Sequence, residues 1–501
     1  MSRKRNAKRA ARAAYNHATP TSDNWKQFAE SYPQTSLNVL PRWTRQSLQR
    51  QARTEYEDNQ HAGGIARLFS TYVVGTGPRL KFKGFPRYMG ERIDKRLAAY
   101  VNYRWERFSD AIQLTSTLQQ AMVGLVVDGE AFLTLAPNPR IDEGFTVRNV
   151  DAARVGNPNN QLSTKNMRDG VYFDEYGNPD AYCVYKIPET EASYYVPSAY
   201  DIIDASQIYH LFRLDYAGQA RGVSWFEAAL PLLQQLREYT AAVIETAKRG
   251  AKLVNTFESQ NGISLDEFQE NFDVISGDPS TSTDASTWPA WGRFQTGNGE
   301  ALILPPGATS KTFSPSQPTA EASAFTNSML GQIGYSLGLP RNKATGSSHE
   351  YNFASGRLDN QPFEMLISSI RLDLFERRAL DKLLKTFYAC ILNELLERFE
   401  QVPEPQEIEW EWIWPTPPLI DPESAARTNA IRLKSAQATL SEVWNKEHPF
   451  SDFDEMRGEI MRDERDFPQV FDLPIVAESF GVEGNTTIQE PAAPGVPNET
   501  I

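Results

Sequence analysis

A chain of 501 residues, 40% of them hydrophobic, can bury a large core, and its length corresponds to about two to four domains or subdomains. Its net charge of -13 disfavours wrapping nucleic acid over the whole surface, because non-specific affinity for phosphates comes from basic side chains. Two cysteines, Cys183 and Cys390, argue against a disulfide framework and fit a reducing compartment; the five scattered histidines give no zinc spacing, and no segment reaches the roughly 20 apolar residues of a membrane span.

The first twelve residues hold six basic side chains and no acidic one, leaving the remainder six charges more negative than the total. A polar stretch follows them where a secretory signal would have an apolar region, so no signal peptide is expected. Residues 1–50 lack sustained periodicity and read as a basic, flexible arm, with order beginning near Arg53. A helix is predicted from Asn59 to Val74, stopped by Gly75-Thr76-Gly77-Pro78, and Arg79 to Lys83 alternates like a strand. Helical patterns follow from Glu91 to Phe108 and from Leu114 to Val127; the second stops at Asp128-Gly129 and passes into a strand over Ala131 to Leu135. Short strands and turns fill Phe145 to His210, with a hairpin tip at Asp174 to Pro179.

Ser224 and Glu227 stand in the Ser-x-x-Glu relation of a capping box, which predicts a helix start. Trp225, Ala229, Leu232, Leu236, Tyr239 and Val243 then mark one apolar stripe toward Gly250, with a kink expected at Pro231. A polar, turn-rich insert centred on Ser276 to Glu300 reads as a loop-rich subdomain. Helical spacing returns from Ala320 to Leu337, breaks at Gly338-Leu339-Pro340, and resumes from Phe353 to Phe399, about 65 to 70 Å of helix if continuous, with Pro362 marking a kink or the true start. Glu409 to Trp414 alternates strictly, as a half-buried strand does. Asp421-Pro422 starts a helix toward Trp444, a second short helix is expected around Phe453 to Arg465, and residues 482–501 read as a disordered tail.

No phosphate-binding loop is present; Gly307 to Thr312 lacks the second glycine before its lysine, so ATP hydrolysis is not expected. Neither a Gly-x-Ser-x-Gly elbow nor a dinucleotide fingerprint occurs. Two carboxylate pairs, Asp128 with Glu130 and Glu409 with Glu411, have the two-residue strand spacing that puts both acids on one face, as a glycoside hydrolase would need. Solvent-facing acids opposite a buried tryptophan face account for Glu409 and Glu411 equally well. The polar stretch Gly346 to Arg357 joins two helices; it holds His349 and several hydroxyls but no second base, and its default reading is a solvated loop.

Five landmarks in order resemble the lambda-type portal proteins of tailed bacteriophages. They are Ala62 to Arg67 with the exit Val73-Val74-Gly75-Thr76-Gly77-Pro78; Asp128-Gly129-Glu130-Ala131-Phe132; His210 to Trp225, including Arg213, Arg221 and Gly222; Tyr351 to Arg357; and Trp414-Pro415 followed by Asp421-Pro422. The chain departs from the family pattern at Ser224, where proline is commoner, and at Asn352 to Gly356, which replaces a more serine-rich turn.

The resemblance implies an α+β, mainly helical fold and a ring, usually of twelve copies, at one capsid vertex. Double-stranded DNA would enter and leave through it. It implies terminase, head-tail adaptors, and major capsid and scaffold proteins as partners, a place in the virion and in the host cytoplasm during assembly, and no membrane, cofactor, metal or chemistry of its own. It places a wing at 51–223, stem helices at 224–250 and 320–339, a clip at 251–319, a tunnel loop at 340–356, and a long helix, Trp-rich strand and crown at 357–481. Lys343, Ser347, Ser348, His349, Tyr351 and Arg357 become candidates to face DNA, while Gly75, Gly77, Asp128, Gly129, Glu130, Arg221, Gly222, Ser224, Trp225 and Glu227 are structural landmarks. The alternatives are a carboxylate-pair glycoside hydrolase and a virion or assembly protein without a channel.

Overall fold

The computed structural model describes residues 42–84, 95–187, 198–215, 218–251, 255–259, 292–296, 299–303, 308–312, 320–348, 352–415, 422–440 and 443. In chain order the elements are α1 (Arg42–Asp58), α2 (Gln60–Val73), β1 (Arg79–Gly84), α3 (Lys95–Ala111), α4 (Leu114–Val127), β2 (Glu130–Pro137), β3 (Phe145–Val150), β4 (Met167–Arg168), β5 (Val171–Phe173), β6 (Pro179–Tyr185), β7 (Tyr200–Asp204) and β8 (Ile208–Phe212). They continue with α5 (Leu230–Ala251), β9 (Asn255–Ser259), β10 (Gly292–Thr296), β11 (Gly299–Ile303), β12 (Ala308–Thr312), α6 (Ala320–Ser336), α7 (Arg341–Thr345) and α8 (Phe353–Ile370). A π-helical stretch (Arg371–Leu380), α9 (Asp381–Arg398), β13 (Glu409–Ile413) and α10 (Pro422–Lys434) complete the described chain. The fold is α+β and mainly helical, as expected. It divides into one compact unit made of residues 1–56, 63–227 and 364–501 and a second made of 57–62 and 228–363.

In the first unit three small antiparallel sheets are dressed by helices: β3-β2-β8, β4-β5-β6-β7, and the pair β1-β13. Trp105 and Phe108 of α3 and Phe387 of α9 are fully or almost fully buried and meet ring to ring, Phe108–Phe387 at 5.0 Å and Trp105–Phe387 at 5.2 Å. The first two sheets share a core of Phe132, Val150, Val155, Val171, Tyr182, Val184 and Ile208. The predicted strand alternation at Glu409 to Trp414 holds, because all three indoles have acceptors on the neighbouring helical segment. Trp410 and Trp412 donate to Asp381 Oδ1 at 2.8 and 2.9 Å, and Trp414 donates to Glu376 Oε1 at 2.6 Å.

In the second unit α5 and α6 pack together, with Tyr239 and Phe325 edge-on at 5.0 Å. Helix α7 folds back on α6 at Gly334, where a Cβ would stand 2.5 Å from the Ala344 Cβ, so only glycine allows this approach. Strands β9 and β12 pair antiparallel, as do β10 and β11.

Several expectations need correction. Helix α1 already runs from Arg42, inside what reads as the end of a flexible arm; its inward residues Arg45, Gln49, Ala52 and Glu55 are mostly polar and so give no apolar stripe. The helix predicted to start at Ser224 starts at Leu230, after a turn over residues 225–229. Pro231 therefore occupies its first turn, where a missing N–H costs nothing, and causes no kink there. The chain is helical from Phe353 to Arg398 with Pro362 inside α8, so Pro362 is not the start. Residues 340–356 are not one loop, since α7 takes Arg341–Thr345 and α8 begins at Phe353. Helix α10 stops at Lys434, short of Trp444. The predicted helix at Phe453 to Arg465, the centre of the insert and the residues after 481 lie outside the described residues.

Candidate functional site

Two sequence landmarks 91 residues apart meet at a buried ion cluster in the first unit. Helix α4 ends when the amides of Asp128 and Gly129 both donate to the Gly124 carbonyl, at 2.7 and 3.1 Å, and Gly129 at φ +86° turns the chain into β2. A Cβ on Gly129 would lie 2.0 Å from the Val223 carbonyl carbon, and one on Gly222 would lie 2.1 Å from the Gly129 oxygen. The two backbones touch at their glycines, which places Glu130 beside Arg221.

Glu130 has no exposed side-chain surface and accepts five donors: Arg221 Nε (2.8 Å) and Nη2 (2.6 Å), Arg45 Nη1 (3.1 Å), His210 Nε2 (3.1 Å) and the Gly222 amide (3.0 Å). Arg221 spends its remaining donors on the Val155, Asp169 and Ala152 carbonyls at 2.9, 2.5 and 3.1 Å. Arg45 bridges to Asp169 Oδ2 at 2.6 Å. Burial alone would raise the Glu130 carboxyl, but Arg221 and Arg45 hold it well below the usual carboxylate range. Burial pulls His210 down to about 4 against the opposing pull of Glu130, so its ring is neutral and donates from Nε2. That ring stacks on Phe132 at 4.2 Å, its direct partner across β2 and β8.

A half-exposed extension of the cluster ties α1 down further. Arg53 grips Asp128 bidentately at 2.7 and 2.8 Å and reaches Asp151 at 2.5 Å. Asp151 also accepts the Ala153 amide at 2.9 Å and so caps the turn that presents the Ala152 carbonyl to Arg221.

The first and last landmarks form a second junction. Arg371, at the start of the π-helical stretch, donates to the carbonyls of Val73 (2.8 Å), Tyr72 (2.8 Å) and Pro415 (3.0 Å), and its guanidinium lies over Trp414 at 5.1 Å. It thereby satisfies the carbonyl end of α2, where Gly75 at φ +54° and Gly77 at φ +91° lead the chain out. A Cβ on Gly75 would stand 3.0 Å from Pro415 Cγ, and one on Gly77 2.3 Å from Thr115 Oγ1.

Ser224, Trp225 and Glu227 do not form a capping box. Ser224 Oγ accepts the Phe226 amide at 3.2 Å, and the Glu227 amide donates to the Ser224 carbonyl at 3.1 Å, which closes a turn. Buried Trp225 donates its amide to the Val126 carbonyl at 3.1 Å and meets Phe69 edge-on at 5.5 Å, so the segment is bound to α4 and α2 before a helix can begin. Partial burial, aided by Asp215, raises the Glu227 carboxyl.

Among the candidates to face DNA, Ser347 and Ser348 are exposed, Lys343 is half-buried on α7, and Arg357 is exposed on α8 and not on a loop. His349 and Tyr351 lie outside the described residues.

Three of the four acids in the two pairs have structural partners. Asp128 and Glu130 are held by arginines as above. Glu411 pairs with Lys83 at 3.0 Å on the face of β13 opposite the indoles. Among the described residues no His, Cys, Asp and Glu cluster could hold a metal ion, and no helix is long and apolar enough to cross a membrane. Sequence reasoning missed Arg45, Arg53, Asp169 and Arg371; the one available signal was the helical spacing of Arg45, Gln49, Ala52 and Glu55.

Both junctions are arginine-held joints between distant parts of an α+β fold, and comparison with known proteins gives the chain its family. The family model "Phage portal protein, lambda family" matches residues 23–371. The chain belongs to this lambda family of phage portal proteins. It is 25% identical over 254 residues to a probable portal protein of Halomonas phage phiHAP-1, covering 50% of this chain and 47% of that protein. It is 22% identical over 257 residues to Portal protein B of Escherichia phage lambda, covering 47% of each. The chain thus spans about half the length of the curated relatives it matches. A solved chain from the virion of a native gene transfer agent particle aligns at 13% identity and a TM-score of 0.42, covering 80% of this chain and 92% of that one.

Proposed function

We propose that copies of this chain close into a ring at one vertex of a viral capsid, and that the central hole is the channel for double-stranded DNA during packaging and ejection. The observation that carries this reading is the portal-family match across residues 23–371. The chemistry agrees with it. An acidic chain, net -13, makes few lasting phosphate contacts, as a conduit for sliding DNA requires. With no phosphate-binding loop, the work of translocation falls to a terminase docked on the ring. Head-tail adaptors, the major capsid protein and scaffold are its other neighbours.

In this reading residues 51–223 form the wing, 224–250 and 320–339 the stem, 251–319 the clip, 340–356 a tunnel segment that includes helix α7 and the start of α8, and 357–481 the long helix and crown, with the basic residues 1–50 and the tail 482–501 at the ends. Lys343, Ser347, Ser348, His349, Tyr351 and Arg357 face the channel. The support for this is the exposure of Ser347 and Ser348 between helices α7 and α8, and of Arg357 in the first turns of α8. Negative-stain images of the purified chain test the ring: circular particles with a central hole are expected, and a monodisperse monomer refutes it. Alanine replacement from Ser347 to Tyr351 tests the tunnel assignment, with packaging expected to fall; undiminished packaging sinks it.

A further inference from the structure

We propose that the π-helical stretch is a register switch in the helical run from Phe353 to Arg398, set so that either of two apolar stripes on α8 can face inward. The stripe now buried is Phe363, Ile367, Ile370 and Leu374, at spacings of four, three and four. The other is Leu358, Met365 and Leu372, which stand 67%, 73% and 42% exposed. These three recur at seven-residue intervals that lead to buried Ala379. Seven residues make almost two full turns of an α-helix, so in an unbroken α-helix all three would share the inward face of Ala379 and of α9. Leu374, five residues before Ala379, would then point about 140° away from that face. The observed burial is the reverse, and the π-helical stretch from Arg371 to Leu380 is what reverses it.

The wide turns are latched by their neighbours. The Asp381 amide donates to the Glu376 carbonyl, five residues back, and turns of that size bring Arg371, Glu376 and Asp381 nearly into line. From that line Arg371 reaches the Tyr72, Val73 and Pro415 carbonyls, Glu376 accepts from Trp414, and Asp381 accepts from Trp410 and Trp412. On an α-helix the same three residues would fan out by about 140° at each step and could not all meet β13 and the end of α2. A π-helical run of ten residues is uncommon and persists where its surroundings hold it. Loosening the latch returns the stretch to α geometry and turns α8 about its own axis until the second stripe faces inward. Each register buries an apolar stripe, so the helix has two discrete arrangements and not a continuum.

Thiol labelling of the full chain, with Cys390→Ser throughout, reads the register. Met365→Cys is expected to react freely. Adding Ser369→Leu and Ile370→Gln fills the second stripe and weakens the first. It is expected to slow labelling of Met365→Cys about tenfold, as when the second register holds about nine chains in ten. Labelling that stays as fast, in a variant whose circular dichroism shows the original helix content, overturns the proposal. Should that variant not fold, Trp414→Phe decides, because it keeps an aromatic ring and removes only the donor to Glu376. There the labelling of Ile370→Cys is expected to quicken about tenfold relative to Leu384→Cys, which is equally buried in α9. Equal quickening of the two positions overturns the proposal.

Discussion

Replacing Arg221 by methionine removes the guanidinium that grips Glu130 and leaves a side chain of similar length. Glu130 then remains fully buried with only Arg45, His210 and the Gly222 amide, and the carbonyls of Ala152, Val155 and Asp169 lose a donor. Breaking a buried ion pair by removing one partner costs about 3–5 kcal/mol, and the orphaned carbonyls place this variant at the upper end. The exposed pair Arg377–Asp373, 2.8 Å apart one helical turn away from each other, provides the internal comparison. Such surface pairs contribute about 0.3–0.5 kcal/mol. Urea titration of the two variants side by side, followed by circular dichroism, should show Arg221→Met shifting the midpoint about ten times as far as Arg377→Met. Arg221→Lys should lie near Arg221→Met, because an ammonium cannot make the bidentate grip and also reach three carbonyls. An Arg221→Met variant within about 1 kcal/mol of wild type would refute the reasoning that this cluster is a buried, fully paired unit.

The histidine in the cluster makes stability depend on pH. Its folded value is about 4, below the roughly 6.5 of an unfolded histidine, so between these limits the unfolded chain binds the extra proton and stability falls as pH drops, by about 3 kcal/mol in all. Urea midpoints measured from pH 7 to pH 4.5 should show this slope, and His210→Gln should flatten it. Gly129→Ala should destabilise by more than about 3 kcal/mol, since it forces a side chain into φ +86° and onto the Val223 carbonyl, whereas Gly144→Ala at φ +79°, with nothing within 4 Å, should lose only about 1–2 kcal/mol. Thermal melts of both variants decide this, and equal losses would show that the glycine contact is unimportant. Arg45→Met with Arg53→Met should speed hydrogen exchange of the α1 amides at least about tenfold relative to those of α4.

The landmarks read from the sequence lie where the structure is most constrained, but their roles were only partly legible. Helix α4 could be bounded to the residue because its apolar spacing ends at Asp128-Gly129, a local signal. The Trp410, Trp412 and Trp414 face could be foreseen from alternation alone, though not that Asp381 and Glu376 would receive its N–H groups. Ser224 misled for a physical reason: its local code is that of a cap, but the Trp225 amide is claimed by Val126, 99 residues earlier in the chain. Helix α1 was hidden because its inward face carries Arg45, Gln49 and Glu55, and hydrophobic periodicity cannot see a helix held by ion pairs. Glu130 and Arg221 stood out through the family resemblance, whereas Arg45, Asp169 and Arg371 find their partners only through the tertiary fold. A motif made of glycines and charges, weak by itself, becomes specific when its pieces close on one another.

Cryo-electron microscopy of the purified full chain is the sharpest test of the channel-forming ring. A closed ring of identical copies is expected, its narrowest opening lined by Lys343 and the segment from Ser347 to Tyr351. A monomer, an open filament or a ring whose hole is bordered by another part of the chain would contradict it.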